Sequence, residues 1–542
     1  MGGAAAESGS STPRRRASAL PGRAICGALL VLLSLLCWAF ASPVGSSPDD
    51  DFHIANIYCL HDESTCRSNL VEWPDGQPGW PADPADRTGS QWQRVQDAYP
   101  DLWGNPTPRQ LPCYVRNGTT DYNPDPTVPA DCLNLEDSNA NTPASIDNLG
   151  YYPANTYRLL SIVTQETIRE SVAAWRIAVC LLVTGLAVAS VGLSMPTWRR
   201  AVLVSWLVCA VPGGMFLFSS HNPSAVAVAG AVAIVGPGIA LLRERGKLAM
   251  SLMRGGLLLL GLLLTMGGRS EGVVFGLGAL LVAVIFGISG QWWRSRGLAV
   301  VAGCAVVGVL VIAAVTGLST SVERISQTYL YQASTGDSPW TAVMQAPTML
   351  ALAFEPLGWL DITLPPAATV VSAVAFFGAL MLGLAQVDSR KGVGIAVTVS
   401  VAFGAPVAIW TLSGSGIQVR YMLPFIFLMT LAVLSPTRSH PLVRWSRPQW
   451  WLMGLAWGVA NCVALFVVIL RYTAGLTPGS SPLTLAAMET PAWWWQAWLP
   501  PTSNWVVGAG AFAAALALLL PWVAGQTRED RTMGTDQPER VE

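Results

Sequence analysis

The chain has 542 residues, 52% of them hydrophobic and only 12% charged, and a formal net charge of −1. Soluble domains carry about 25% charged residues. That deficit, with a mean hydropathy of +0.43, excludes an ordinary soluble enzyme, a disordered chain and a free nucleic-acid binder.

A helix needs about 20 mostly apolar residues to cross the hydrocarbon core, and by that measure about twelve spans are predicted. A basic tail, 1–23, precedes the first span at 24–42. Residues 14–41 also have the outline of a secretory signal, with Ala39-Phe40-Ala41 as a cleavage site. The long apolar run favours a retained anchor; cleavage would leave eleven spans.

The one large segment outside the spans, 43–172, reads as a loop-rich domain with 19 acidic and 7 basic residues. Its cysteines, Cys59, Cys66, Cys113 and Cys132, form an even set that suggests two disulfides in an oxidising compartment. Three pairings are open, with the local pairs Cys59–Cys66 and Cys113–Cys132 preferred. The segment opens with Ser47-Pro48-Asp49-Asp50-Asp51-Phe52-His53. In a helix starting here, Asp49 and His53 stand four apart and share a face. Asp49 and Asp50 could hold a divalent cation, Mg or Mn, through oxygen ligands, or one of them could take a proton from an attacking hydroxyl. The structural alternative is a helix start, with Ser47 as N-cap, Pro48 at N1 and acids favouring the dipole.

Residues 173–316 hold predicted spans two to seven, at 173–194, 201–218, 224–242, 250–267, 272–290 and 298–316. Between the second and third of these lies His221-Asn222-Pro223-Ser224, which reads as a helix start capped by Asn222; alternatively His221 and Asn222 join Asp49 on one membrane face. A loop, 317–366, precedes spans eight to eleven within 367–470, at 367–386, 393–412, 421–435 and 451–470. A further loop, 471–505, carries Trp493-Trp494-Trp495 and Trp498 ahead of the last span, 506–524, and the tail 525–542. These tryptophans suit the headgroup level or an aromatic platform for a sugar or lipid chain.

With both termini cytoplasmic, inner segments carry 20 basic and 8 acidic residues, net +12, and outer segments 12 basic and 25 acidic, net −13. This obeys the positive-inside bias. Against that bias, Arg269, Arg324, Arg420 and Arg471 sit at outer ends, Arg269 near Glu271, Arg420 beside Tyr421 and Arg471 beside Tyr472. They read either as structural ion pairs and headgroup contacts or as an outer anion site, since a guanidinium fork binds phosphate bidentately. The sequence contains no Walker loop, G-x-S-x-G elbow or H-E-x-x-H helix.

Taken in order, Pro48-Asp49-Asp50-x-x-His53, Asn222-Pro223-Ser224, Leu357-Gly358-Trp359-Leu360-Asp361 with Leu364-Pro365, Arg420-Tyr421-Met422-Leu423-Pro424 and Arg471-Tyr472-Thr473-Ala474-Gly475 resemble the motifs of an actinobacterial-type polytopic family. That family is called domain of unknown function two-one-four-two. Asp50 stands where its motif usually has Glu. The family looks like a distant relative of the GT-C glycosyltransferases. The resemblance implies an all-α polytopic protein of about 12 transmembrane helices, GT-C-like, with a disulfide-bearing extracytoplasmic loop domain after the first helix. It is expected in the bacterial inner (plasma) membrane, multi-pass, with both termini cytoplasmic. By the same resemblance, Asp49 or Asp50 is the catalytic base or metal ligand, supported by His53, His221, Asn222 and Asp361. Arg269, Arg420, Tyr421 and Arg471 would hold the donor phosphate. The substrates implied are a polyprenyl-phosphate sugar donor and an envelope glycan or lipid acceptor. The other readings are a transporter or flippase of lipid-linked or envelope precursors, and a non-enzymatic membrane scaffold.

Overall fold

The computed structural model describes residues 22–61, 114, 126–130, 153–244, 247–269, 271–288, 357–413, 419–437, 446–476, 493–495 and 498–525. These residues are helical apart from connecting turns and isolated bridge residues, among them the Leu357–Ile362 pair. The first helix, α1 (Gly22–Ala39), is followed by α2 (Asp50–His61), α3 (Ala154–Ser161), α4 (Ile168–Leu193), α5 (Arg199–Cys209) and α6 (Pro212–Phe218). Next come α7 (Pro223–Arg243), α8 (Leu248–Gly268) and α9 (Gly272–Gly287). The last are α10 (Pro366–Leu384), α11 (Ser389–Ser413), α12 (Leu423–Val433) after a 3-10 turn (Val419–Met422), α13 (Arg447–Thr473) and α14 (Pro501–Gly525).

Seven of these helices are long and apolar enough to cross a membrane, and eight spans result if the bent pair α5–α6 counts as one. The chain is therefore a multi-pass membrane protein. Three shorter apolar helices, Gly272–Gly287, Lys391–Gly404 and Leu423–Val433, lie at three further predicted spans. At 11 residues, α12 reaches about 16 Å by the helical rise, half the hydrocarbon thickness. The predicted span 298–316 and the cysteines Cys66, Cys113 and Cys132 lie outside the described residues, as does the side chain of Cys59. Among the described residues, Cys26, Cys37, Cys180, Cys209 and Cys462 are free thiols.

The bundle is arranged around α7. Asn222 caps it, its Oδ1 accepting from Ser224 N at 2.9 Å, and Pro223 supplies the first turn. Its Ala, Val and Gly side chains are buried almost without interruption, because α4, α8 and α9 all pack against it. Small residues let backbones approach closely where no hydrophobic gradient drives helices together. A Cβ on Gly230 would sit 2.6 Å from Thr265 Oγ1 and 2.7 Å from Gly261 O. The outer helix α13 shows the opposite pattern. Trp450, Met453, Trp457, Ala460 and Ala464 are buried, while Trp451, Leu452, Leu455 and Val459 are exposed. Both stripes are apolar, as lipid requires.

The α5–α6 pair bends by 89°. The break frees the carbonyl of Ala210, and Asn461 Nδ2 on α13 reaches it at 2.9 Å. Such buried polar groups must find a protein partner when water is absent. The turn also requires Gly214, since a Cβ there would lie 1.7 Å from Cys209 O.

The two ends of the bundle differ. Arg199, Arg200, Arg243, Lys247, Arg254 and Arg447 lie at or near one end, where Arg254 pairs with Glu244 and donates to Leu193 O at 3.0 Å. The opposite end gathers the motif segments. Gly230→Leu should force α7 and α8 apart; overpacking of this kind costs about 1–3 kcal/mol, and thermal unfolding in detergent should show a lowered midpoint.

Candidate functional site

After Ala39 the chain leaves α1 and turns through 40–49 before α2, buried along nearly its whole length. A turn at the end of a helical bundle has carbonyls with no ladder partner, and each must be met by another group. Here side chains from six elsewhere-placed segments meet them. Arg176 on α4 donates from Nη1 to Ala39 O at 2.7 Å and Ser42 O at 2.8 Å, and from Nη2 to Pro43 O at 2.8 Å and Ser46 Oγ at 3.0 Å. Trp495 Nε1 donates to Ser42 O at 3.0 Å and Tyr114 OH to Val44 O at 2.9 Å. Trp359 Nε1 donates to Gly45 O at 2.6 Å, and Tyr472 OH to Ser46 O at 3.4 Å. Asn222 Nδ2 donates to Pro48 O at 3.0 Å. Burial, aided by the neighbouring Tyr472, holds the Tyr114 phenol well above its ordinary pKa, so it stays a donor.

This turn aims Asp50. The expected cap at Ser47 is replaced by a different arrangement: Asp49 takes a left-handed φ of 65° and α2 begins at Asp50. Asp50 then folds back, its Oδ2 accepting from Ser47 N at 3.0 Å. Its Oδ1 lies 3.3 Å from His221 Nε2, with both side chains fully buried. Asp49 is only half-buried. Asp50 is thus the inward-facing carboxylate, and its imidazole partner is His221. His53 donates from its backbone N–H to Asp49 O at 2.9 Å and sets its ring Nδ1 against Tyr157 OH at 2.9 Å. Trp175 flanks His221 with ring centroids 5.5 Å apart. Desolvation, then the Arg176 charge and His53, keep the His221 pKa well below its ordinary value, so a neutral imidazole faces the carboxylate.

Two further clusters flank the pair. On one side, Arg471 at the end of α13 forms a buried ion pair with Asp361, Oδ2 lying 2.9 Å from both Nε and Nη2. Its fork also binds the carbonyls of Val128 and Tyr114. Asp361 Oδ1 in turn accepts from Trp359 N at 3.0 Å. The 357–362 turn needs Gly358, whose φ is 61° and whose added Cβ would lie 2.5 Å from Asp361 Oδ1. On the other side, Arg269 at the end of α8 donates to Ser224 Oγ at 2.9 Å, pairs with Glu271 at 3.3 Å and stacks 4.7 Å over the Tyr421 ring. Ser224 is the residue whose N–H meets the Asn222 cap, so Arg269 is linked through Ser224 to the residue next to His221. The side chains of Arg420 and Asp51 lie outside the described residues. Among the described residues, no three His, Cys, Asp or Glu side chains gather closely enough to hold a metal ion.

Below this end runs an apolar groove between α1, α4, α5 and α6, with a cavity volume of about 100 Å³. It is lined by Leu35, Val183, Val191, Leu207, Met215 and Phe218 among others. Leu35 is one turn, about 6 Å, from Ala39, and Phe218 is three residues before His221.

Arg176 is the residue that motif reading missed. It is the charge placed within the apolar window of the second predicted span, 173–194, and an ionisable residue there usually faces protein or a cavity. That signal was available from hydropathy alone. Removing one partner of the Asp361–Arg471 pair leaves a buried charge unmatched, at a cost of about 3–5 kcal/mol. Asp361→Ala should therefore lower the unfolding midpoint sharply, and Arg471→Met added to it should recover part of the loss in a double-mutant cycle.

No curated protein and no solved structure matches the chain. A family model described as Predicted membrane protein (DUF2142) matches residues 32–429, a stretch that contains Asp50, Arg176, His221, Arg269 and Asp361. Covering well over half of the 542 residues, this match shows that the chain belongs to that family.

Proposed function

We propose that the protein is a membrane-embedded glycosyltransferase, moving a sugar from a polyprenyl-phosphate donor to a cell-envelope glycan or lipid acceptor on the extracytoplasmic face. The observation that carries this reading is the buried Asp50–His221 pair, set at one end of an apolar bundle immediately above a lateral groove. The opposite end carries the arginine-rich loops, and the positive-inside bias makes that end cytoplasmic.

In this reading the prenyl chain lies in the groove and brings its phosphate-linked sugar up to the acid. Asp50 accepts the proton of the acceptor hydroxyl as its oxygen forms the new bond to the anomeric carbon. The bond from that carbon to the phosphate oxygen breaks, and the polyprenyl phosphate leaves. Arg269, buried beside the start of α7, is the arginine best placed to stabilise the departing phosphate, as preorganised positive charge does. Arg471, with its fork spent on Asp361 and two carbonyls, shapes the site instead.

The 89° break between α5 and α6 favours a second reading, a transporter or flippase of lipid-linked precursors, since broken helices are common in transporters. Vesicles separate the two: a flippase moves the lipid-linked sugar between leaflets without transferring it.

General acid–base groups contribute about 10²–10⁴-fold. Asp50→Asn should lower transfer from labelled polyprenyl-phosphate sugars by that factor while the protein stays in the membrane. Asp49→Gly should retain transfer, because the left-handed φ at that position suits glycine. Full transfer by Asp50→Asn would sink the assignment.

A further inference from the structure

Arg176 is 1% exposed and lies about two turns inside α4. A buried guanidinium is costly, and it usually faces a carboxylate. Here four hydrogen bonds, 2.7 to 3.0 Å long, go to three carbonyls and one hydroxyl of a single turn. That turn contains Pro43 and leads directly into Ser47, whose N–H grips Asp50. The Arg176 charge also acts electrostatically on both Asp50 and His221.

We propose that Arg176 is the positioning residue of this site: it binds the 39–46 turn as a peptide ligand and thereby sets the Asp50 carboxylate against His221. The proposal rests on Asp50 being the working carboxylate. Its geometry follows from the guanidinium itself. The planar fork spans two groups of acceptors at once, Ala39 and Ser42 from one nitrogen, Pro43 and Ser46 from the other. A lysine ammonium concentrates its donors at one point and cannot span both. Losing the fork releases the turn, and with it the Ser47 N–H that orients Asp50. The aromatic donors Trp359, Trp495 and Tyr114 approach the same turn from other sides, but each satisfies one carbonyl. Arg176 alone among these donors joins the end of α1 to the residue preceding Ser47.

The chain has four histidines, so nitrogen-15 labelling of histidine gives a spectrum simple enough to assign by loss of one signal in His221→Asn. In lipid-reconstituted protein, Arg176→Lys should move the His221 ring resonances in the same direction as Asp50→Asn. Ser46→Ala, which removes one of the four bonds, should move them the same way by less. Arg254→Lys, which removes a buried fork at the opposite end, should leave them in place. With a polyprenyl-phosphate hexose as donor, Arg176→Lys should lower kcat at least tenfold and leave the donor KM unchanged. Unmoved His221 resonances in both Arg176→Lys and Ser46→Ala would overturn the proposal, as would an equal shift in Arg254→Lys. If Arg176→Lys fails to fold, Ser46→Ala decides. Absence of transfer by the native protein would count against the glycosyltransferase reading, while the resonances still decide whether Arg176 positions Asp50.

Discussion

The rest of the site depends on how the carbonyls of residues 39–48 are satisfied. Helices satisfy their own backbones, which is why they can cross a bilayer. The turn between α1 and α2 cannot, and it lies buried where water is not available to it. Its partners are long polar side chains from α4, α7, α13 and the loops before α10 and α14. Each donor comes from a segment far away in sequence, so the turn is a point at which the whole bundle is tied together. The left-handed residue Asp49 is the strained consequence, and strain of this kind persists only where the surroundings over-determine it.

That constraint also explains why the motif residues are scattered. Trp359 and Asp361 belong to one tight turn, Arg471 and Tyr472 to the end of one helix, and His221 and Asn222 to the start of another. Each pair divides its work. Trp359, Tyr472 and Asn222 hold the first turn, while Asp361 and Arg471 lock each other and His221 faces Asp50. The acid is therefore placed by several weak contacts acting through one loop. Such a placement is rigid without requiring a charge beside every charge.

The groove and the charge asymmetry give this placement a setting. An apolar channel rises along α1 and α4 to within about one helical turn of the acid-bearing loop, and the basic residues collect at the far end. A hydrophilic reacting group attached to a hydrocarbon chain fits both features. The α5–α6 break lies beside the same groove, its Met215 and Phe218 forming part of the wall, so the bend serves to shape that wall whichever function the site performs.

Much of the architecture was legible in the sequence, because lipid imposes a strong and local rule: a long apolar run becomes a helix. The ends of α4, α7, α8, α13 and α14 fall close to where hydropathy placed them, and the Asn222 cap was read correctly from Asn-Pro. The separation of basic loops from acidic ones was equally plain, and a net charge of −1 conceals it. What the sequence by itself determined was thus a polytopic helical protein with its polar residues gathered at the ends. Tertiary structure alone decided which of two adjacent aspartates faces inward, that it lies against His221, and that Arg471 is spent on Asp361. Spacing along a helix says which side chains share a face, but not which of them the fold turns inward. The role of Arg176 depended on a hydrogen-bond demand arising more than a hundred residues earlier in the chain, which no local pattern could express.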